Sequence, residues 1–395
     1  MIKRKKKNKE HNPFYDPTLK KRHVSAKRFK KFTLTSLIFS VAFLAFFLFD
    51  MIGKGIPAFN IAYVKVDVTF NEKTLEDTRF AVPTEYRNLV SRAALRDLPK
   101  LLEENPTYMN STQNIWILAS SQVDQYIKNH NHNLKDKDIA IVDELYAQGL
   151  IDKRFNAIFF TNGDSKIPEY AGIFSAVIGS ILTLIITMAV AFPIGVMTAI
   201  YLEEFAGDNK FTRFIEININ NLAAIPSILF GLLGLAIFIN LFGMPRSSPL
   251  VGGLTLALMT LPIIIVSSRA ALRAVPDSIR QAGYGLGLNK IQVTRDHVLP
   301  LAFPGIMTGS IIGLAQAMGE TAPLIIIGMI AFIPDAPSMV TQAATVMPAQ
   351  LFTWAGMPEG MYIEKTAAGI LVLLTILISL NAIAIYLRKK FEVKW

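Results

Sequence analysis

Six stretches of mostly apolar residues constrain this chain more than any other feature of its sequence. A helix needs roughly 20 such residues to cross the hydrocarbon core of a bilayer, which is about 30 Å thick. The chain has 395 residues, of which 52% are hydrophobic, and this share is too high for an ordinary soluble protein. We therefore predict an all-α membrane protein with six transmembrane helices, at residues 33–52, 172–201, 217–242, 251–272, 304–333 and 367–387.

The positive charge of the chain lies almost entirely at its N-terminus. The formal net charge is +10, and residues 1–31 hold thirteen Lys and Arg against two acids, so the remainder sums to −1. A basic block beside an apolar run predicts a cytoplasmic N-terminus that touches anionic membrane lipid, and it argues against nucleic acid as the partner. The basic residues after the last apolar stretch predict a cytoplasmic C-terminus as well.

These patterns give a predicted division of the chain. We expect a multi-pass protein of the cell inner membrane, with residues 33–52 retained as an anchor helix. The predicted parts are a basic cytoplasmic tail at 1–32, the anchor at 33–52, an extracytoplasmic domain at 53–171, a transmembrane domain at 172–387 and a cytoplasmic tail at 388–395.

The polar segment 53–171 is long enough to form a small α+β domain. Residues 61–70 alternate apolar and polar side chains, which predicts a half-buried strand. Amphipathic helices are predicted at 84–104, 113–129 and 139–149. The pair His130 and His132 is interpreted as part of a solvated turn, because two histidines alone do not make a metal site. The chain has no cysteine, so disulfides and cysteine metal sites are excluded.

A loop after the fourth stretch, at residues 273–303, contains residues that typically start and end helices, and they predict two short helices. Asp277 is predicted to cap the first helix and Gly287 to end it, while Asn289 caps the second and Pro300 ends it. Small residues leave the first helix nearly bare. Either a partner protein approaches it closely and pairs with Arg280, or the loop only tucks under its own helix bundle.

This loop resembles the coupling motif of the permeases of ABC importers, which has a Glu-Ala-Ala triplet, a glycine four residues on, and a final Leu-Pro. The matching positions here are Gln281, Ala282, Gly283, Gly287, Leu299 and Pro300. Two positions depart from the motif, since Gln281 replaces the usual Glu and Gly283 replaces the second Ala. The missing carboxylate removes a salt bridge from that position but leaves the shape available for docking.

Three further stretches, at residues 219–232, 272–276 and 317–324, resemble the PstA-type permease of phosphate importers. The resemblance covers roughly residues 170–390, and Gly-Glu-Thr-Ala-Pro within the last stretch is its most specific part. It implies a five-helix permease core that follows the anchor helix. It also implies four partner chains and a cargo, namely a second, PstC-like permease, a dimer of PstB-type ATPases, a periplasmic PstS-type phosphate-binding protein and inorganic phosphate.

The chain itself lacks the motif of an ATPase. No Gly-x-x-x-x-Gly-Lys-Ser/Thr sequence is present, and the glycines from Gly283 onward have the wrong spacing for a phosphate-binding loop. No catalytic constellation is evident in the membrane part either. We therefore predict a non-catalytic subunit without a cofactor or a metal, in which a partner chain hydrolyses ATP.

Glu320 lies near the middle of the predicted span 304–333, where an unpaired charge costs a few kcal/mol. It either lines the substrate path, or forms a structural pair near Pro323, which interrupts the helical hydrogen bonds. Many relatives have an arginine one turn before this Glu, and here that residue is Gln316. Thr321, which follows in the same motif, completes this group of candidates.

Donors to a passing phosphate are predicted on two other spans. Arg269 is the one Arg or Lys near a span interior, and it either meets the anion or anchors its helix at the membrane interface. Asn220, Asn221 and Ser227 surround a proline kink and either serve as neutral donors or hydrogen-bond between helices.

Two competing functions remain open from the sequence. The same permease architecture would serve another oxyanion, such as sulfate or molybdate. Alternatively, the chain is a membrane receptor whose domain at 53–171 senses a ligand and whose loop signals inward; such a receptor would need no ATPase partner.

Overall fold

The computed structural model describes residues 18–391. The first element is α1 (Leu19–Gly55), a helix of 37 residues. Its apolar part contains the predicted anchor at 33–52, and the helix is long and apolar enough to cross a membrane. Its first turns carry exposed Lys and Arg residues. Residues 1–17 of the predicted basic tail, and 392–395 of the C-terminal tail, lie outside the described residues.

The segment after α1 builds a three-stranded antiparallel sheet with strand order β2-β1-β3. The strands are β1 (Asn60–Thr69), β2 (Thr112–Leu118) and β3 (Ile151–Phe155). Val64 pairs with Ile117 of β2 and Ile151 of β3. The strand predicted at 61–70 is thus present, and its alternating valines face a buried core. Among the predicted helices of this segment, 113–129 is half wrong, because its first part is β2.

Short helices cover the buried face of the sheet. They are α2 (Glu72–Glu76), α3 (Arg92–Arg96), α4 (Leu98–Glu104), α5 (Ser121–Ile127), α6 (Asp136–Ala147) and α7 (Ala157–Thr161), with 3-10 turns at Ile56–Phe59, Thr78–Ala81, Pro106–Tyr108 and Pro168–Tyr170. The predicted helix at 84–104 forms only in its second half. It is interrupted at Asp97, two residues before Pro99, whose ring fits the first turn of α4.

The following helices form the apolar part of the chain. They are α8 (Phe174–Ile200), α9 (Lys210–Ala223), α10 (Ser227–Gly234), α11 (Pro249–Arg273), α12 (Asp277–Gly285), α13 (Lys290–Val293), α14 (Leu299–Gly319), α15 (Ala322–Ile326), α16 (Met347–Ala355) and α17 (Gly360–Phe391), with π-helical turns at Tyr201–Phe205, Leu235–Leu241 and Thr294–Val298. Within residues 18–391, five helices are long and apolar enough to span a membrane, or six if one bent pair counts as a span.

Two of the six predicted spans differ from the structure. The stretch predicted at 217–242 is two helices, α9 and α10, which meet at 103°. The stretch predicted at 304–333 is wrong at both ends, because one continuous helix runs from Lys290 to Gly319 and then breaks. Pro226 and Pro323 explain both breaks, since proline lacks the backbone N–H that continues a helix and restricts the residue before it.

The helix α11 is the most deeply buried of the candidate spans and packs between α8 and α14. Thr187 of α8 donates a hydrogen bond to the carbonyl of Gly253 in α11 at 3.2 Å. On the other side, a Cβ atom at Gly309 of α14 would lie only 1.9 Å from Ser267 Oγ. Such small residues let helices in a membrane approach closely.

Candidate functional site

The loop at 273–303 forms the two short helices that its sequence predicts. Gly287 follows the first helix, α12, with a φ of +83°, a conformation in which glycine avoids the strain of a side chain. Asn289 caps α13 together with Gln292 in a reciprocal capping box. The predicted end at Gly287 and the predicted cap at Asn289 are therefore both present.

Two other details of this loop were predicted wrongly. The N-cap of α12 is Pro276, and Asp277 is a first-turn residue that accepts a hydrogen bond from Arg280 at 3.2 Å. Pro300 does not end a helix, because α13 continues through a π-helical turn into α14. Pro300 lies in the first turn of α14, directly after a π-helical turn. The regular hydrogen-bond pattern is already interrupted there, so the N–H that proline lacks is not needed. Leu299 packs into the cluster around Leu272 and Val298.

The small residues of α12 do not all face outward. Gly283 is buried against the chain's own α13, and a Cβ atom there would lie 2.8 Å from Val293 Cγ2. Gln281 and Ala282, in contrast, are exposed. Large apolar side chains accompany them at the surface, with exposed fractions of 80% for Leu286 and 63% for Ile291. One face of the loop thus packs on the bundle, and the other presents apolar groups.

Arg280 is bound within the chain and does not reach outward, contrary to the pairing with a partner considered above. Its guanidinium donates to Glu204 Oε1 at 2.7 Å and to Oε2 at 3.3 Å. It also donates to the carbonyl oxygens of Val275 at 2.7 Å and Leu272 at 2.9 Å. The hydrogen bond to Glu204 raises the pKa of Arg280 further above its usual range. These contacts fasten the loop to the end of α8 and the end of α11.

A second set of ion pairs lies beside this one. Arg269 donates to Glu216 Oε1 of α9 at 2.5 Å and to Glu203 Oε2 at 3.4 Å. Arg273 donates to Glu203 Oε1 at 2.8 Å. Glu203 and Glu204, in the π-helical turn after α8, therefore neutralise arginines of α11 and α12. The role of Arg269 toward a substrate stays a prediction, but its charge is already paired.

Glu320 lies at a helix break, not in mid-helix. It is the C-cap of α14 and has extended backbone angles, with φ of −76° and ψ of 125°. Its side chain is half-buried, and the residues at 18–391 offer its carboxylate no hydrogen bond or ion pair. Thr321 begins α15, and Gln316 is exposed in the last turn of α14. The three residues thus share one interruption of the helix.

The second break packs against the first. A Cβ atom at Gly231 of α10 would lie 2.7 Å from Pro323 Cα, so the two short helices α10 and α15 are in backbone contact. Ser227 begins α10 and is half-buried, while Asn220 and Asn221 are exposed at the end of α9. The structure therefore brings the two broken helices together but shows no direct hydrogen bond between their polar residues. Their substrate roles stay predictions.

A buried ionic cluster between the sheet domain and α17 was missed in the sequence. Lys365 looks like a solvated loop charge, yet it is buried, and its Nζ donates to the carbonyl oxygens of Pro168 and Ala171, both at 2.6 Å. Beside it, Lys128 of α5 bridges Asp124 at 2.6 Å and Glu364 of α17 at 3.1 Å. Burial raises the pKa of Asp124 despite the opposing effect of Lys128. The sequence signal that could have indicated this cluster is the pair of opposite charges at 364–365, directly before an apolar stretch.

His130 belongs to the same cluster. Its Nδ1 forms a short contact with the carboxylate of Glu364, a contact that the interpretation as a solvated turn does not include, and its side chain stays 37% exposed. The neighbouring His132 stacks edge-on against Tyr126 instead. Within residues 18–391, no group of three or more acids or histidines is arranged to hold a metal ion.

The chain matches known protein families in sequence. Residues 191–393, just over half of the chain, match the family described as the inner membrane component of binding-protein-dependent transport systems. Residues 16–86 and 81–136 match a domain of unknown function, DUF3333. Among solved structures, an inward-facing form of the MetNI methionine ABC transporter gives a TM-score of 0.43 at 14% identity, over 56% of this chain and 94% of that chain.

Three relatives illustrate the sequence similarity. The phosphate transport system permease protein PstA of Mycobacterium leprae is 36% identical over 160 residues, which are 40% of this chain and 52% of that protein. The probable ABC transporter permease protein YqgI of Bacillus subtilis is 34% identical over 168 residues, 42% of this chain and 56% of that protein. PstA of Yersinia pestis is 31% identical over 224 residues, 55% of this chain and 74% of that protein. The chain spans about half the length of the first two relatives.

The helical bundle, the two-helix loop and the family match define a class of protein. The chain belongs to the family of inner membrane components of binding-protein-dependent transport systems. Its sequence is of the PstA type, which the long match to the Yersinia pestis relative shows. The predictions of a multi-spanning inner-membrane protein and of a non-catalytic transport component are confirmed by this membership.

Proposed function

We propose that this chain forms half of the translocation pathway of an ATP-driven importer whose cargo is inorganic phosphate. The observation that carries the proposal is the loop α12–α13, which is fixed to its own bundle on one side and apolar on the other, in a chain of the PstA type. A second, PstC-like permease would supply the other half. A PstB-type ATPase dimer and a periplasmic phosphate-binding protein complete the assembly.

The exposed face of the loop supports docking of the ATPase. Tyr284, Leu286 and Ile291 are large apolar side chains with exposed fractions of 44%, 80% and 63%. A patch of this kind on a polar loop typically marks a protein interface. Gln281 and Ala282 lie in the same exposed segment and leave room for a close approach. In this arrangement, the ATPase touches apolar groups and backbone, not a carboxylate at position 281.

The ion pairs behind the loop supply the mechanical connection. Arg280 joins α12 to Glu204 at the end of α8 and to two carbonyl groups near the end of α11. When the ATPase dimer closes and displaces α12, the displacement reaches these helices through Arg280. Arg269 and Arg273 both pair with Glu203, and Arg269 also pairs with Glu216 of α9. The displacement would therefore move α9 together with α8 and α11.

The substrate path is proposed at the two helix breaks. Breaks in transmembrane helices free backbone groups that serve ligands only where they line a cavity or a protein interface. Glu320, Thr321 and Gln316 surround one break, and Asn220, Asn221 and Ser227 surround the other. A carboxylate without a partner repels a phosphate, so Glu320 must carry a proton or hold a cation when the anion passes.

The orientation follows from the charge distribution. The exposed Lys and Arg of the first turns of α1, and those at the end of α17, favour a cytoplasmic location for both termini. The sheet domain at 53–171 then lies on the extracytoplasmic side of the membrane, and the loop α12–α13 lies on the cytoplasmic side. In this orientation the loop meets the ATPase, and the sheet domain meets the binding protein or the other permease.

Reconstitution tests the proposal. Proteoliposomes that contain both permeases, the ATPase and the binding protein should accumulate labelled phosphate when ATP is present. Vesicles without this chain are the control, and equal uptake by them would contradict the proposal. Excess sulfate or molybdate should not reduce the uptake of labelled phosphate. If either anion reduces this uptake more strongly than unlabelled phosphate does, the cargo is another oxyanion. A receptor, in contrast, would purify without any ATPase.

The connection through Arg280 has its own test. Exchanging the pair, as Arg280→Glu with Glu204→Arg, should restore part of the phosphate uptake that Arg280→Glu alone removes. Truncating one partner of a nearly buried ion pair costs about 3–5 kcal/mol, so each single variant should also melt earlier. If Arg280→Ala keeps full uptake and stability, displacement does not travel through this residue.

A further inference from the structure

The sheet domain carries a basic surface that none of the roles above uses. Two adjoining grooves, with volumes of about 640 and 620 Å³, share Arg87, Asn88, Arg92 and Arg96. Lys166 lines the second groove as well. We call the surface formed by Arg87, Arg92, Arg96 and Lys166 the basic groove.

Within residues 18–391, the four cations of the basic groove form no ion pair, although Arg87 lies within electrostatic range of the Asp77 carboxylate. Of the two acids among the lining residues, Asp77 is held by Arg79 at 2.6 Å. The other, Glu169, is buried and accepts a hydrogen bond from the backbone N–H of Ser121. In the part of the chain that the structure describes, no carboxylate forms an ion pair with Arg92, Arg96 or Lys166.

Arg92 and Arg96 are an unfavourable pair unless something binds them. They lie one turn apart on the five-residue helix α3, and both are exposed. Like charges at this spacing repel, and a helix this short has little to offset the repulsion. Beyond residues 1–31 the chain has a net charge of −1, so this local excess of cations is not a general property of the protein. The repulsion ends when carboxylates from another molecule enter.

The shape and chemistry of the basic groove favour an acidic protein surface over a small anion. Each groove is as large as a pocket for a drug-sized ligand, and Arg92 and Arg96 line both grooves from the exposed side of α3. The planar fork of arginine matches carboxylates in a bidentate manner. Arg87 is set in place by a hydrogen bond to the carbonyl of Val82 at 3.1 Å and by the ring of Phe80.

We propose that the basic groove docks an acidic face of the extracytoplasmic binding protein, and that this electrostatic contact orients the binding protein for substrate delivery. The inference rests on the proposed function, because it places the sheet domain outside the membrane and pairs the chain with such a protein. Complementary charge of this kind speeds association and selects the partner.

A fluorescent reporter in the groove tests the charge preference without any partner chain. The chain has no cysteine, so Asn88→Cys gives a single labelling site that lines both grooves. The full-length labelled protein in phosphatidylcholine nanodiscs is titrated with poly-L-glutamate. We expect saturable binding at 50 mM salt that weakens at 300 mM. The double variant Arg92→Glu with Arg96→Glu should lose at least tenfold in affinity.

A matched control uses two exposed cations of the same domain outside the grooves. Lys137→Glu with Lys153→Glu makes the same change in net charge and should alter the affinity by less than twofold. Equal affinity in the two double variants would overturn the inference. It would also be overturned if inorganic phosphate or phosphatidylglycerol vesicles gave the same reporter response as the peptide, because the groove would then be a general anion or lipid site.

The complete importer provides the second readout. With Arg92→Glu and Arg96→Glu, the concentration of binding protein that half-saturates phosphate uptake should rise at least fivefold, with an unchanged maximal rate. If the parent importer transports phosphate and this concentration does not shift, docking at the basic groove is refuted while the proposed function stands. If the parent importer transports nothing, the proposed function fails, even where the peptide binds.

Discussion

Lys365 gives the sharpest prediction, because the sheet domain and α17 meet at its ammonium group. The side chain is 1% exposed, and its Nζ contacts the carbonyl oxygens of Pro168 and Ala171 at 2.6 Å and that of Glu169 at 3.3 Å. The variant Lys365→Met keeps the length of the side chain and removes the charge. It leaves the carbonyl groups of Glu169 and Ala171 without this donor, whereas the carbonyl of Pro168 still accepts from the backbone N–H of Ala171 at 3.3 Å.

The expected cost follows from these contacts. Each buried carbonyl group left without a donor costs about 1–3 kcal/mol, so the carbonyls of Glu169 and Ala171 together cost about 3–5 kcal/mol. With roughly 1.4 kcal/mol for each factor of ten, the segment around Ala171 should open about 100-fold to 4000-fold more often. The sheet itself has its own buried core and should stay folded.

Hydrogen exchange measured by mass spectrometry separates these effects. The amide of Gly172, which donates to the carbonyl of Gly163 at 2.8 Å, should exchange at least 100-fold faster in Lys365→Met, while β1 keeps its protection. Lys153→Met, on the exposed side of β3, is the control and should change neither. Unchanged protection of Gly172 in Lys365→Met would show that the three contacts do not hold the domain to α17.

Three further predictions concern single sites. Burial raises the pKa of Asp164, which accepts a hydrogen bond from the indole of Trp354 at 2.8 Å, so its contribution to stability is lost as pH rises above about 4. Asp164→Asn keeps the acceptor and should melt at or above the parent temperature at pH 8, with a smaller difference at pH 4; a difference independent of pH would contradict this. Gly231→Ala should cost about 1–3 kcal/mol because its Cβ would meet the backbone of α15, whereas Gly319→Ala, with open space around it, should be neutral in the same thermal melts. Glu320→Gln should leave the melting temperature unchanged but alter the pH dependence of phosphate uptake, and a large loss of stability would indicate a structural role instead.

The sequence predicts the apolar helices well, because their length and composition follow directly from the thickness of the bilayer. It also predicts the C-terminal end of α12 and the cap of α13, since Gly287 and Asn289 act through local backbone geometry. These features depend on residues close in sequence. Local chemistry therefore carries most of the membrane architecture.

The predictions fail where contacts between residues far apart in sequence determine the structure. Proline marks the breaks at Pro226 and Pro323, but the packing of α10 on α15 joins residues that are far apart in sequence. Lys365 lies beside Glu364 in an apparently solvated loop, and only the fold brings it to the carbonyls at 168–171. For the same reason, Arg280 was open to a partner in the sequence and is occupied by Glu204 in the structure.

The positions of these ionic contacts indicate where the chain can move. Arg280 fastens the loop α12–α13 to α8 and α11, and Lys365 fastens the sheet domain to α17, so buried charged groups hold both of these segments to the helical bundle. Between them, the helical ladder is interrupted at the α9–α10 bend and again at Glu320. Interrupted backbone changes conformation at lower cost than a continuous helix, because no ladder hydrogen bonds must break. We therefore expect a displacement of the loop α12–α13 to change the backbone conformation at these two breaks. Because Gly231 and Pro323 are in contact, a conformational change at one break must be accommodated by the other.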